Sequence, residues 1–247
     1  MARACPEGQP PPCGAGWGGG AQHPALLMTD PAALQKLLTW LSPAFPVGAF
    51  AWSAGLETAI MANAVTDSAS LRNWLDGNLA HGALRTDAIL LAAAWRAEAD
   101  MPALAELAAL CLALTPAAER HAETRLTGEA FAIAARAWPS DVFARLPDPC
   151  PYPVAVGAIA GAQGIPLAET LIGFLTAAVH GQVSVAVRLV PLGQTAGLQV
   201  MASLETEIAA LADFGLSATL ADLGGIAYAT DIAQMRHETL EPRIFRS

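Results

Sequence analysis

From residue 30 onward, apolar side chains recur every three or four positions, and proline, glycine or a capping residue interrupts the repeat at intervals. That period belongs to amphipathic helices. Asp30 before Pro31 predicts a helix start, because an N-cap oxygen precedes a proline whose missing N–H costs nothing in a first turn. Leu34, Leu37, Leu38 and Leu41 mark its apolar stripe, and Pro43 ends it. A second helix is expected from about Ser53 to Asn63. Thr66 or Asp67 caps a third, with Leu71, Trp74, Leu75 and Leu79 as its stripe, and Thr86 caps a fourth carrying Ile89, Leu90 and Trp95. Pro102 opens a fifth through Leu104, Leu107 and Cys111, and Thr115-Pro116 a sixth, whose charged face is the most polar in the chain.

After a proline-punctuated loop from Pro139 to Pro151, helical signal returns at Val154. Gly157 and Gly161 form GxxxG, a spacing that lets two helix backbones approach closely. Pro166 opens an apolar stretch without charge between Glu169 and Arg188. It is the best membrane-span candidate, but Gly173, His180, Gln182 and Ser184 interrupt it and no basic cluster flanks it, so a buried central helix is expected. Val183 to Val190 alternates like a strand, yet a lone strand would lack a partner, and helix is expected there too. Further helices are expected from Thr195 to Asp213 and from about Leu223 to Met235. The fold class is therefore all-α: one domain of about ten helices over residues 29–235, a Pro/Gly-rich disordered extension at 1–28, and a flexible tail at 236–247. Gly14, Gly16 and Gly19 satisfy GxGxxG by chance, since no strand precedes them.

Composition narrows the function classes. Hydrophobic residues make up 54% and charged residues 14%, with mean hydropathy +0.41. Such a chain either enters a membrane or has surface that another protein covers. A net charge of -9 argues against nucleic acid. Lys36 is the sole lysine and follows Gln35, so there is no P-loop, and nucleotide chemistry would have to come from another protein. Cys5, Cys13, Cys111 and Cys150 form no CxxC pair and signal neither zinc nor a redox motif. No basic region followed by an apolar run opens the chain, so a cytoplasmic protein is expected, with Cys111 a small core hydrophobe.

The most informative stretch is Leu41 to Glu57, LSPAFPVGAFAWSAGLE, apolar and rich in proline and glycine where a surface loop is normally polar. Ser53 lies one glycine short of a nucleophile elbow, but its surroundings are helix and loop, so a helix cap is the simpler role. Glu57 is either a buried acceptor or a surface carboxylate. His23, His81, His121, His180 and His237 show no paired-ligand spacing. His237-Glu238 makes a poor metal site, and a satisfied surface histidine is expected. Arg188, flanked by apolar residues, must pair, snorkel or face a partner. The basic, aromatic tail with Arg236, Arg243, Ile244, Phe245 and Arg246 is the kind of segment a partner orders.

These residues also carry a resemblance. Ser42, Pro43, Pro46, Val47, Gly48 and Phe50, then Ser53, Gly55, Leu56 and Glu57, resemble the signature of the UreF family of urease accessory proteins, with Ala49, Trp52 and Ala54 as departures. Gly164-Ile-Pro-Leu167, Gln182-Val-Ser184, Val190-Pro-Leu-Gly-Gln-Thr195, Arg236-His-Glu-Thr239 and Phe245-Arg-Ser247 follow in the family's order; Leu240-Glu241-Pro242 departs from it. The resemblance implies an all-helical, usually dimeric protein without catalysis of its own. It implies binding to UreD (also called UreH), to the GTPase UreG and through them to apo-urease, with nickel passing through the complex and no cofactor held stably. It places Arg188 toward UreG, and the segment Arg236, His237, Glu238, Arg243, Ile244, Phe245, Arg246 and Ser247 on UreD. The competing functions are a helical serine hydrolase using Ser53 and a small membrane protein using residues 166–190.

Overall fold

Asp30 caps the first helix as its place before a proline predicts: its carboxylate accepts the Ala32 amide at 3.1 Å, and α1 runs Pro31–Trp40. The computed structural model describes residues 30–247, so the Pro/Gly-rich extension, with Cys5 and Cys13, lies outside the described residues. Within them the chain forms α-helices and three short 3-10 turns, with no strand. After α1 come α2 (Leu56–Met61), α3 (Ser68–His81), α4 (Ala83–Arg96), α5 (Met101–Ala113), α6 (Ala118–Ala135), α7 (Tyr152–Ala162), α8 (Leu167–Leu189), α9 (Gln194–Ser203), α10 (Glu205–Ser217) and α11 (Tyr228–His237).

The apolar α7 is enclosed by α4, α5 and α6, and every residue from Val154 to Ala160 is buried. The GxxxG pair makes this possible. A Cβ on Gly157 would lie 2.2 Å from the Leu91 carbonyl oxygen, and one on Gly161 would lie 2.6 Å from that of Trp95. An aromatic cluster closes the same layer: Trp40 meets Phe131 edge-on at 5.9 Å and Trp138 at 5.5 Å, and Phe131 meets Tyr152 at 5.7 Å. The second organising element is α8, which touches α1, α2, α3, α4, α7, α9 and α10. Among the described residues it is the one helix long and apolar enough to cross a membrane, yet half of its most apolar window is buried inside the protein. Val183, Val185 and Ala186 are buried within this continuous helix, so the strand-like alternation is helical here.

Other expectations change. The fourth helix starts at Ala83 rather than near Thr86, because Gly82 ends α3 and begins α4 in one extended residue. The stretch from Thr195 to Asp213 is two helices, broken at the fully buried Leu204, so each can turn its own apolar face inward. The last helix starts only at Tyr228, because Gly224 has φ +122°, outside any helix. On α1 the inward face is Ala33, Leu37 and Trp40, leaving Leu34 and Leu38 exposed.

Replacing Gly157 by valine must push α4 and α7 apart. The expected cost is about 3 kcal/mol of unfolding free energy, at the upper end for overpacked cores. Chemical denaturation checks it, with Gly77→Ala, on an open helix surface, as the control.

Candidate functional site

The tail, expected from its composition to be flexible, is packed against the helical domain. It folds back across α2 and α6, and Phe245 and Ser247 are 3% and 1% exposed. The anchor is Glu57 in the first turn of α2, itself buried. Its Oε1 accepts the Ile244 amide at 2.7 Å, and its Oε2 accepts the Phe245 amide at 3.0 Å. The ring of His237, at the end of α11, lies with Nε2 2.9 Å from Glu57 Oε2 and Nδ1 2.6 Å from Glu119 Oε2. The Arg243 guanidinium caps the other Glu119 oxygen. Burial pushes the Glu57 carboxyl up, but the bonds from His237 and the two amides outweigh it and hold the group below its ordinary value. His237, expected at the surface, is fully buried. Of the two readings of Glu57, the buried acceptor is the one realised.

The signature loop supplies the other jaw. The Ser53 amide donates to the Ser247 carbonyl at 2.8 Å, the Ser53 hydroxyl donates to the same oxygen, and Ser53 Oγ accepts the Glu57 amide at 3.3 Å. Ser53 is fully buried and committed to these bonds, which is not the setting of a nucleophile. The Arg246 amide donates to the Ala51 carbonyl at 2.8 Å, and its guanidinium lies over the Trp52 ring. Gly55, at φ +81°, is required where α2 crosses α11: a Cβ there would meet the Gln234 amide nitrogen at 2.7 Å. The first half of the loop faces outward, with Pro43, Pro46, Gly48 and Phe50 exposed and Ser42 half-buried. The second half, from Trp52 to Ala59, is buried but for half-buried Ala54.

Beneath the loop lies a cavity of about 200 Å³ walled by α1, α4, α6 and α8. Asp87, Arg120 and Glu123 stand on its polar side, with Arg120 2.9 Å from Asp87 and 3.7 Å from Glu123. The Ser247 hydroxyl donates to Glu123 at 3.2 Å, joining the tail to this wall. Burial pushes the Asp87 and Glu123 carboxyls up, and the Arg120 charge opposes it only in part. The sequence marked α6 as the most polar face, which reads as solvated; instead it turns Glu119, Arg120 and Glu123 toward the tail and the cavity. Cys111 and Cys150 are buried thiols, each pushed up to about 12 by burial.

The tail residues separate by role. His237, Phe245 and Ser247 point inward, while Arg236, Glu238, Arg243, Ile244 and Arg246 are exposed. Arg188 is neither an isolated surface charge nor part of an internal ion pair in the core: its guanidinium lies 4.6 Å from the Phe245 ring centroid and donates to the Phe50 carbonyl at 3.4 Å. Helix α11 is inside out. It buries Thr230, Ala233, Gln234 and His237, and exposes its large apolar residues Tyr228, Ile232 and Met235. Sequence reasoning missed this surface, although the i, i+4, i+7 spacing of those three residues was its signal.

An all-α scaffold whose polar side chains fix its own C-terminus while a helix turns apolar residues outward is the form of a protein made to be covered by others. The comparisons agree with that class. Residues 65–205 match the UreF family model. The chain is 51% identical over 215 residues to the urease accessory protein UreF of Rhizobium etli, covering 87% of this chain and 96% of that protein. It is 49% identical to the proteins of the same name from Rhodopseudomonas palustris strain BisB5, over 223 residues, and Agrobacterium fabrum, over 216, covering 87% of this chain and 92% and 97% of those proteins. The chain belongs to the UreF family of urease accessory proteins.

Because Phe245 is packed inside its own chain, Phe245→Ala is expected to free the tail rather than unfold the domain. Tryptic cleavage after Arg243 and Arg246 should rise about tenfold or more, in line with the loss of a buried aromatic anchor. Mass spectrometry of a digestion time course checks it.

Proposed function

We propose that this protein bridges UreD (UreH) and the GTPase UreG while nickel is delivered to apo-urease, acting by binding and not by catalysis. The observation that carries this reading is the outward apolar face of α11, Tyr228, Ile232 and Met235, which are 73%, 42% and 45% exposed. A helix that buries its polar side in its own fold and leaves its apolar side bare is stable in water only at the expense of exposed apolar surface, which a partner removes. The exposed Arg236, Arg243, Ile244 and Arg246 belong to the same end of the chain. UreD is the partner proposed for this end.

Nucleotide chemistry is assigned to UreG. The single lysine here, Lys36, is bonded to the Gln163 side chain at 2.7 Å and belongs to no phosphate-binding loop. Arg188, exposed beside Phe50, is the residue proposed to face UreG. No group of three or more His, Cys, Asp or Glu suited to a metal ion occurs among the described residues. Nickel is cargo in this proposal, handled by the assembled complex, and the chain itself is proposed to work as a homodimer in the cytoplasm.

The test is Ile232→Ser combined with Met235→Ser. Both side chains are exposed, so the melting temperature of the isolated protein is expected to hold within a degree or so, while affinity for UreD falls by about tenfold or more, as for hot-spot contacts. Titration with purified UreD decides: unchanged affinity overturns the assignment of this face.

A further inference from the structure

The cavity under the signature loop has apolar walls and one polar side. Trp40, Leu84, Tyr152, Phe174 and Val185 belong to the walls, and Asp87, Arg120 and Glu123 form the polar side. Two carboxylates there share one guanidinium: Arg120 lies 2.9 Å from Asp87 Oδ2 and 3.7 Å from Glu123 Oε2. Glu123 Oε2 also takes the Ser247 hydroxyl at 3.2 Å. The other two oxygens, Asp87 Oδ1 and Glu123 Oε1, take no bond among the described residues. Gln182, on α8, lines the same space. It is 8% exposed, and its amide has no hydrogen-bond partner among the described residues. Buried polar groups left unmatched by the protein are the groups a ligand satisfies.

The chemistry of that ligand follows from the lining. Free carboxylate oxygens accept hydrogen bonds and do not donate them, so the ligand must donate. One guanidinium balances only one of two negative charges. Burial pushes both carboxyls up, and a cation beside them offsets that cost. An anion would be repelled. A bare metal ion fits poorly, because no group of three or more His, Cys, Asp or Glu suited to one occurs among the described residues. The walls call for an apolar body, and the rings of Trp40, Tyr152 and Phe174 add surfaces that attract a cation. The volume of about 200 Å³ exceeds the roughly 150 Å³ of a cavity known to admit benzene. The exposed lining residues Pro43, Phe50, His180, Gly181 and Arg188 mark a mouth between the outer half of the loop and α8. His180 and Arg188 meet solvent there, where water and salt screen their charge.

We propose that this cavity is a binding site for a small organic amine: an apolar body against Trp40, Tyr152 and Phe174, with its ammonium group on the free oxygens of Asp87 and Glu123. The site is formed within one chain, so it stands apart from the choice of partners at α11 and the tail.

The experiment is calorimetric titration of the full chain with benzylamine, and with benzyl alcohol and benzoate as probes of the same size that are neutral and negative. Benzylamine is expected to bind with a dissociation constant below about 1 mM, benzyl alcohol about tenfold or more weaker, and benzoate weaker still. In NMR spectra the Trp40 indole N–H should shift with the same titration midpoint. Glu123→Gln removes one charge while its side-chain oxygen still accepts from Ser247, and benzylamine affinity should fall by about tenfold or more with benzyl alcohol unchanged. No binding of benzylamine, equal affinity for benzyl alcohol, an unmoved Trp40 signal or unchanged affinity in Glu123→Gln overturns the site. If the variant does not fold, the comparison of the three probes on the unaltered chain decides.

Discussion

The Glu57 carboxylate takes three donors from the C-terminal segment, and the described arrangement of that segment depends on it. The donors are His237 and the amides of Ile244 and Phe245, all more than a hundred residues away in the chain. Burying a carboxylate alone would be prohibitive; burying it with a donor on each oxygen is not. Extended segments with few helical contacts normally leave backbone amides to water, and here two of those amides are the carboxylate's ligands. The tail and Glu57 therefore need each other: remove either, and the other is left with buried polar groups and no partner.

That mutual dependence explains why α11 is inside out. Its inward face must carry His237 to the clamp and must cross α2 closely, which only Gly55 permits. Thr230, Gln234 and His237 share that face with the small Ala233, and the large apolar residues, Tyr228, Ile232 and Met235, are left outside. An exposed apolar stripe is ordinarily a liability for solubility. The partner proposed for this end would cover that stripe together with the exposed residues of the tail packed beside it.

The cavity under the signature loop is the third consequence. The apolar loop from Leu41 to Glu57 roofs it on one side and grips the tail on the other, so its proline and glycine content serves shape rather than flexibility. Two polar atoms on the cavity's lining residues, Trp40 Nε1 and Gln182 Oε1, are buried without a partner within the protein. With Asp87, Arg120 and Glu123 these groups put polar atoms on a lining that is otherwise mostly apolar.

Local chemistry determined a good deal of this protein by sequence alone. Asp30-Pro31, the leucine repeats, Pro43 and Gly157-Gly161 fix helix starts, stops and one close crossing, because caps, proline and missing β-carbons act on their immediate neighbours. The ordered motifs from Ser42 to Ser247 carried the family. What only the tertiary structure decided is where the charges go. Glu57 read equally as a buried acceptor or a surface carboxylate, His237 read as a surface histidine, and the tail read as mobile, because a helical period says which residues share a face and not what that face meets. Their burial comes from contacts between segments far apart in sequence, where each charge is satisfied only by a group that no local pattern announces.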